Sequence, residues 1–133
     1  MATEARPVDV CYIEDNPGDV RLMTEVLAEA KPCCRLHVFP SLEPTIKALI
    51  EENIVHPDLI LVDAGLFNED SSELLRLIRV APNLAKTPVV IFSGSRQPPD
   101  DREQLWDRWV QKPMDLDVYS AAVRDILTLL PSA

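Results

Sequence analysis

Leu59-Ile60-Leu61-Val62-Asp63 is a run of four branched aliphatic residues that stops at a carboxylate. Both faces of such a segment are apolar, which suits a parallel strand covered by helices on each side and not a half-solvated hairpin strand. The same design recurs outward from it. Val8-Asp9-Val10-Cys11-Tyr12-Ile13 stops at Glu14-Asp15, Val89-Val90-Ile91-Phe92 stops at Ser93, and Trp109-Val110-Gln111 stops at Lys112. No two-residue hairpin turn follows any of these runs. In a parallel sheet all strand carboxyl ends lie on one edge, so three carboxylates, a hydroxyl and an ammonium from four distant segments converge in one crevice.

Helical patterns fill the intervals, and alternation of strand and helix over the whole length marks an α/β layer fold. Asn16-Pro17-Gly18-Asp19 reads as a helix start, with Asn as N-cap, Pro in the first turn and a carboxylate near the positive end of the dipole. Leu22, Met23, Val26, Leu27 and Ala30 follow at helical spacing until Lys31-Pro32. Arg35 to Phe39 forms a short strand, and Ser41 caps a helix with Leu42, Ile46, Leu49 and Ile50 on its apolar side. Asp70 and Glu73 have capping-box spacing ahead of Leu74, Leu75 and Ile78. Between Gly94 and Lys112 the polar, proline-rich stretch leaves room for only a brief helix around Glu103 to Trp106. Asp115 caps the last helix, whose apolar positions are Leu116, Tyr119, Ala122, Val123, Ile126, Leu127 and Leu130.

The chain has 133 residues, a formal net charge of −9 and three cysteines. It is read as one domain over 1–133, with residues 1–6 as a flexible tail. The negative charge argues against direct nucleic-acid binding, which needs clustered Lys and Arg. No apolar stretch reaches the roughly 18–20 residues that span a bilayer. The N-terminus has neither signal nor transit character, which points to the cytoplasm. Cys11 falls inside an apolar strand and Cys33-Cys34 lack a second ligand pair, so these are read as thiols of a reducing compartment. His37 and His56, without ligand partners nearby in sequence, are read as structural or surface residues.

Carboxylates crowded at one strand edge repel one another by roughly 4 kcal/mol per pair at about 4 Å and an effective dielectric near 20. Such a set persists where a cation occupies it, and all-oxygen ligands in small number suit Mg²⁺. Asp63, ending the central strand, is either a ligand or a nucleophile, since aspartates form acyl-phosphates. A metal, Lys112 and Ser93 would together neutralise the oxygens of a transferring phosphoryl group.

This constellation resembles the receiver domain of two-component response regulators, on Glu14-Asp15, Asp63, Ser93-Gly94 and Lys112-Pro113 after four of the strands. Glu14-Asp15-Asn16-Pro17-Gly18-Asp19 is similar to stand-alone regulators paired with bacterial phytochrome kinases. The resemblance implies a flavodoxin-like three-layer sandwich with a five-stranded parallel sheet of order 2-1-3-4-5. It also implies that Asp63 accepts a phosphoryl group from a sensor histidine kinase or phosphotransfer protein, with Mg²⁺ held by Asp15, Asp63 and the backbone carbonyl of Gly65, and by Glu14 mainly through water. Ser93 and Lys112 would contact the phosphoryl group, and Trp109 would stand at the aromatic switch position. The protein is thus expected to be a self-catalysed phosphoacceptor and not a turnover enzyme, signalling to a downstream protein by contact or relay, with a homodimer as a further state.

Three departures from the family pattern stand out. Phe67 and Ser71 replace the Pro and Gly usual after the acceptor, and Trp106-Asp107-Arg108 replaces the Gly-Ala pair ahead of the fifth strand. The segment from Ser93 to Lys112 is also short. A receiver that binds or dimerises without phosphorylation is the alternative. A phosphohydrolase using Asp63 is a third, weakened because position 65 is Gly and offers no general acid.

Overall fold

The apolar runs become strands. In the computed structural model, which describes residues 7–52, 55–63, 69–93 and 105–130, β1 (Val8–Ile13), β2 (Cys34–Phe39), β3 (Leu59–Asp63), β4 (Val89–Ser93) and β5 (Arg108–Gln111) form one sheet of order β2-β1-β3-β4-β5. Every neighbouring pair is parallel. The helices are α1 (Pro17–Ala30), α2 (Leu42–Ile46, continued by a π-helical turn over Lys47–Glu51), α3 (Glu69–Val80) and α4 (Leu116–Leu127).

Alternation along each strand sends side chains to two separate cores. Val10, Tyr12, Leu61 and Phe92 pack against α1 and α4 through Met23, Leu27, Val123 and Ile126. Cys11, Ile13, Ile60, Val62 and Ile91 pack on the other face against Leu49 and against Leu74, Leu75 and Ile78 of α3. Full burial of one such aliphatic or aromatic side chain is worth about 1.5–3 kcal/mol. A one-residue slip of β1 or β3 would draw Glu14 or Asp63 into these interiors, so the register is strongly specified.

Two of the expected caps form as read. Asn16 Oδ1 accepts from the N–H groups of Gly18 and Asp19 at 2.8 and 3.2 Å, and Asp115 Oδ1 accepts from those of Asp117 and Val118 at 2.8 and 3.2 Å. Four local expectations need correction. Ser41 stands at the start of α2, but its side chain makes no capping bond. Asp70 is not an N-cap, because α3 already begins at Glu69. Leu116 is exposed rather than packed, because at the first position of α4 it precedes the face that meets the sheet. Of the brief helix expected over 103–106, Leu105 and Trp106 are not helical and 103–104 lie outside the described residues.

The altered approach to β5 has its own anchor at the opposite edge of the sheet. Asp107 Oδ2 accepts from Val89 N–H at 2.7 Å and from Arg79 Nη2 at 2.8 Å. Arg79 also donates to the carbonyls of Ala85, Thr87 and Leu105, which ties α3 to the entry of both β4 and β5.

Candidate functional site

Parallel register assembles the site. Ile13 pairs with Val62 across β1 and β3, so Glu14 and Asp63, each one residue further, leave the sheet side by side. Asp63 pairs with Phe92, and Ser93 with Gln111, which carries the backbone of Ser93 and then Lys112 to the same edge. Glu14 is buried and Asp15 exposed. One oxygen from each of Glu14, Asp15 and Asp63 lies within 4.8 Å of the others. These are oxygen donors only, without imidazole or thiolate, a set that fits a hard divalent cation.

Lys112 reaches over this cluster from the end of β5. Its Nζ lies 3.1 Å from Asp19 Oδ2, 3.2 Å from Glu14 Oε2 and 3.4 Å from Asp63 Oδ1. Glu14 and Asp19 accept hydrogen bonds from this ammonium, and Asp63 completes its surroundings as an ion pair. Burial alone would lower its pKa. The Asp19 hydrogen bond and the charges of Asp63 and Glu14 outweigh that and push it up to about 12.

The Glu14 carboxyl is shifted the other way from an ordinary acid. Burial raises its pKa first, and the hydrogen bond shared with Asp63 raises it further. The Asn16 N–H, 3.1 Å from Oε1, and the Lys112 charge pull it down without cancelling the rise. Glu14 and Lys112 therefore attract each other, yet desolvation and the neighbouring Asp63 decide the sign for the acid. A cation at this edge would relieve the same crowding.

Of the residues expected at the site, Glu14, Asp15, Asp63 and Lys112 come together, and the Ser93 backbone reaches the edge. The Ser93 side chain, Gly65, Phe67 and the Ser71 side chain lie outside the described residues. Trp109 is half-buried against the α3-side core, its ring centroid 5.4 Å from that of Trp106. Two participants were not expected. Asp19 reads in sequence only as a helix-start acid, but the turn of α1 aims it at Lys112. Tyr12 reads as a core strand residue, but its hydroxyl donates to Glu14 Oε2 at 3.3 Å. Its spacing from Glu14, two residues along one strand face, was the available clue. His37 is remote from the site, with Nε2 2.8 Å from Asp9 Oδ1 at the other end of the sheet. Asp9 also takes two bonds from Arg35.

Acids at the ends of β1 and β3 with a lysine at the end of β5, on a sheet of this order, define a receiver-type module. Known proteins agree. No family model matches the chain. It is 31% identical over 105 residues to the response regulator Rcp1 of Synechocystis sp., over 75% of this chain and 71% of that protein. The crystal structure of the Mn²⁺-bound form of Rcp1 superposes with a TM-score of 0.77 at 27% identity, covering 95% of this chain and 100% of the other. That of the phosphorylated cyanobacterial phytochrome response regulator RcpA gives 0.74 at 25% identity, covering 96% and 100%. The chain belongs to the response regulator receiver domains of two-component signalling, and its relatives include phytochrome-associated members. Among the described residues no helix is long and apolar enough to cross a membrane.

Proposed function

We propose that this receiver accepts a phosphoryl group on Asp63 from a sensor histidine kinase or phosphotransfer protein in the cytoplasm, with Mg²⁺ bound. The observation that carries this is the Lys112 ammonium bridging Asp63, Glu14 and Asp19 above a cluster of carboxylate oxygens. The Mn²⁺-bound form of Rcp1 and the phosphorylated form of RcpA support it. An Asp63 carboxylate oxygen attacks phosphorus in line while the bond from phosphorus to the donor nitrogen breaks, its electron pair leaving with the imidazole. Asp15, Asp63, the Gly65 carbonyl and, through water, Glu14 would hold Mg²⁺, which would supply charge neutralisation for the phosphoryl oxygens. Lys112 turns its Asp63-directed donor to a phosphoryl oxygen, while Glu14 and Asp19 keep the ammonium in place. Ser93 donates to another oxygen. A protein donor must approach this edge, where Met114, Leu116 and Val118 just beyond Lys112 are exposed and offer apolar contact. The test is intact mass after exposure to a small acyl-phosphate, with and without Mg²⁺. A gain of one phosphoryl group only with Mg²⁺ is expected. An unchanged mass, under conditions that label another receiver, would leave the phosphorylation-independent binding module.

Lys112→Met should still take up phosphoryl but fail to transmit it to a partner. It also strips the buried Glu14 of its cation, so stability should fall by about 2 kcal/mol. Phosphorylation-dependent partner binding by the variant, measured by calorimetry, would remove Lys112 from the coupling role.

Trp109 should report the switch, because a phosphoryl group shifts a conformational equilibrium only through contacts that differ between its states. Indole emission should change when a beryllofluoride mimic binds, and Trp109→Phe should lose the change. With Trp106 in ring contact, Trp106→Phe should alter the size of the response but keep it. Identical spectra in protein whose melting temperature shows that the mimic has bound would make Trp109 a fixed core residue.

A further inference from the structure

Behind the acid cluster, inside the α1/α4 core, two phenol hydroxyls lie where an apolar interior would be expected to hold none. Tyr12 is 0% and Tyr119 4% exposed. Tyr12 Oη donates to Glu14 Oε2, the oxygen that also receives Lys112. At 3.3 Å this bond is long for an O–H donor, whose usual distance is about 2.7–2.8 Å, so it has room to tighten. Tyr119 projects from α4, with its ring stacked on Phe92 at 5.5 Å, one residue before Ser93. Tyr119 and Tyr12 belong to the same buried core, and the Tyr119 hydroxyl makes no hydrogen bond. It is the buried side-chain polar atom without a partner among the described residues. A buried hydroxyl left unpaired is costly, so a small movement that pairs it is favoured.

We infer that Tyr12 is a positioning residue for Glu14 and that Tyr119 completes a hydroxyl relay, Tyr119 to Tyr12 to Glu14, when a cation draws Glu14 toward Asp15 and Asp63. This rests on the reading of Glu14 as part of a cation site. Tyr12 fixes the orientation of a carboxylate whose other oxygen is held by Asn16 N–H, so the site meets an incoming cation with this acid already aimed. As Glu14 shifts, Tyr12 follows, and its oxygen becomes an acceptor for the Tyr119 hydroxyl. Bonds in such a chain reinforce one another. Occupancy at the strand edge is thereby felt on α4, through the interior and independently of the loops.

The experiment titrates Mn²⁺ into wild type, Tyr12→Phe and Tyr119→Phe, by calorimetry and by amide hydrogen exchange over α4. Both substitutions keep the ring and remove only oxygen. Tyr12→Phe should weaken Mn²⁺ binding about tenfold, and Tyr119→Phe by less than twofold. Mn²⁺ should slow exchange in α4 of wild type and leave it unchanged in either variant. A pure packing role would shift melting temperatures and leave Mn²⁺ affinity alone. Tyr12→Phe binding Mn²⁺ like wild type, or α4 protection persisting in Tyr119→Phe, overturns the relay alone. Wild type that does not bind Mn²⁺ overturns the cation site as well.

Discussion

Asp63→Asn should abolish phosphoryl uptake completely. The amide keeps the shape of the side chain and its place at the end of β3, but an amide oxygen is no nucleophile toward phosphorus at neutral pH and cannot form the mixed anhydride. The surroundings should survive the change. Lys112 retains Asp19 and Glu14 at 3.1 and 3.2 Å, and removing one of three crowded carboxylates relieves repulsion. The variant should therefore fold, melt no lower than wild type, and show no added mass after treatment with an acyl-phosphate and Mg²⁺. Labelling of Asp63→Asn at the wild-type level would move the acceptor elsewhere and sink the assignment. Loss of labelling together with loss of folding, seen by circular dichroism, would make Asp63 a structural acid instead.

The fold was legible because buried parallel strands leave a coarse signature. Leu59 to Val62, Val89 to Phe92 and Val8 to Ile13 are largely apolar on both faces, and each ends within one residue of the end of its strand ladder. Strand ends in a parallel sheet share an edge by geometry, so Glu14, Asp15, Asp63 and Lys112 could be gathered without knowing any side-chain conformation. What escaped depends on direction. Asp19 is brought to Lys112 by the angle at which α1 leaves the loop. Tyr12 matters because its hydroxyl, and not its ring, meets Glu14. The first has no sequence period, and in the second the two-residue strand spacing gives a shared face but not the hydroxyl contact. Leu116 and Ser41 failed for a related reason: at a helix end one residue decides whether a side chain packs or faces water, and propensity does not resolve one residue.

The shortened segment before β5 illustrates compensation. Where the family has small residues, this chain has Trp106-Asp107-Arg108, and each is used. Asp107 receives Val89 N–H and Arg79, Arg108 meets Asp125 of α4 at 3.0 Å, and Trp106 lies against Trp109. The exposed ion pair contributes little by itself. The Asp107–Arg79 junction holds three backbone carbonyls and two strand entries, and it keeps β5 in register for Lys112 to reach the acids.

Asp15→Asn should separate what the acid cluster costs from what it does. In protein without divalent cation, Glu14, Asp15 and Asp63 hold oxygens within 4.8 Å of one another, with Lys112 the one ammonium described among them. Removing the charge of the exposed member relieves about 1 kcal/mol after solvent screening. In a domain of this size that raises the melting temperature by roughly 3–6 °C. If Mg²⁺ binds the folded state alone, it should stabilise wild type by about 2.7 kcal/mol at one hundred times its dissociation constant. Asp15→Asn should lose that gain, since an amide is a far poorer ligand for a hard dication and the cluster has lost a charge. The two effects have opposite signs, so the variant should melt above wild type in chelator and below it in excess Mg²⁺. Thermal melts under both conditions check this directly. Curves that keep the same order in both, with an equal Mg²⁺ shift, would show that Asp15 is not a ligand and that the cation is held without it.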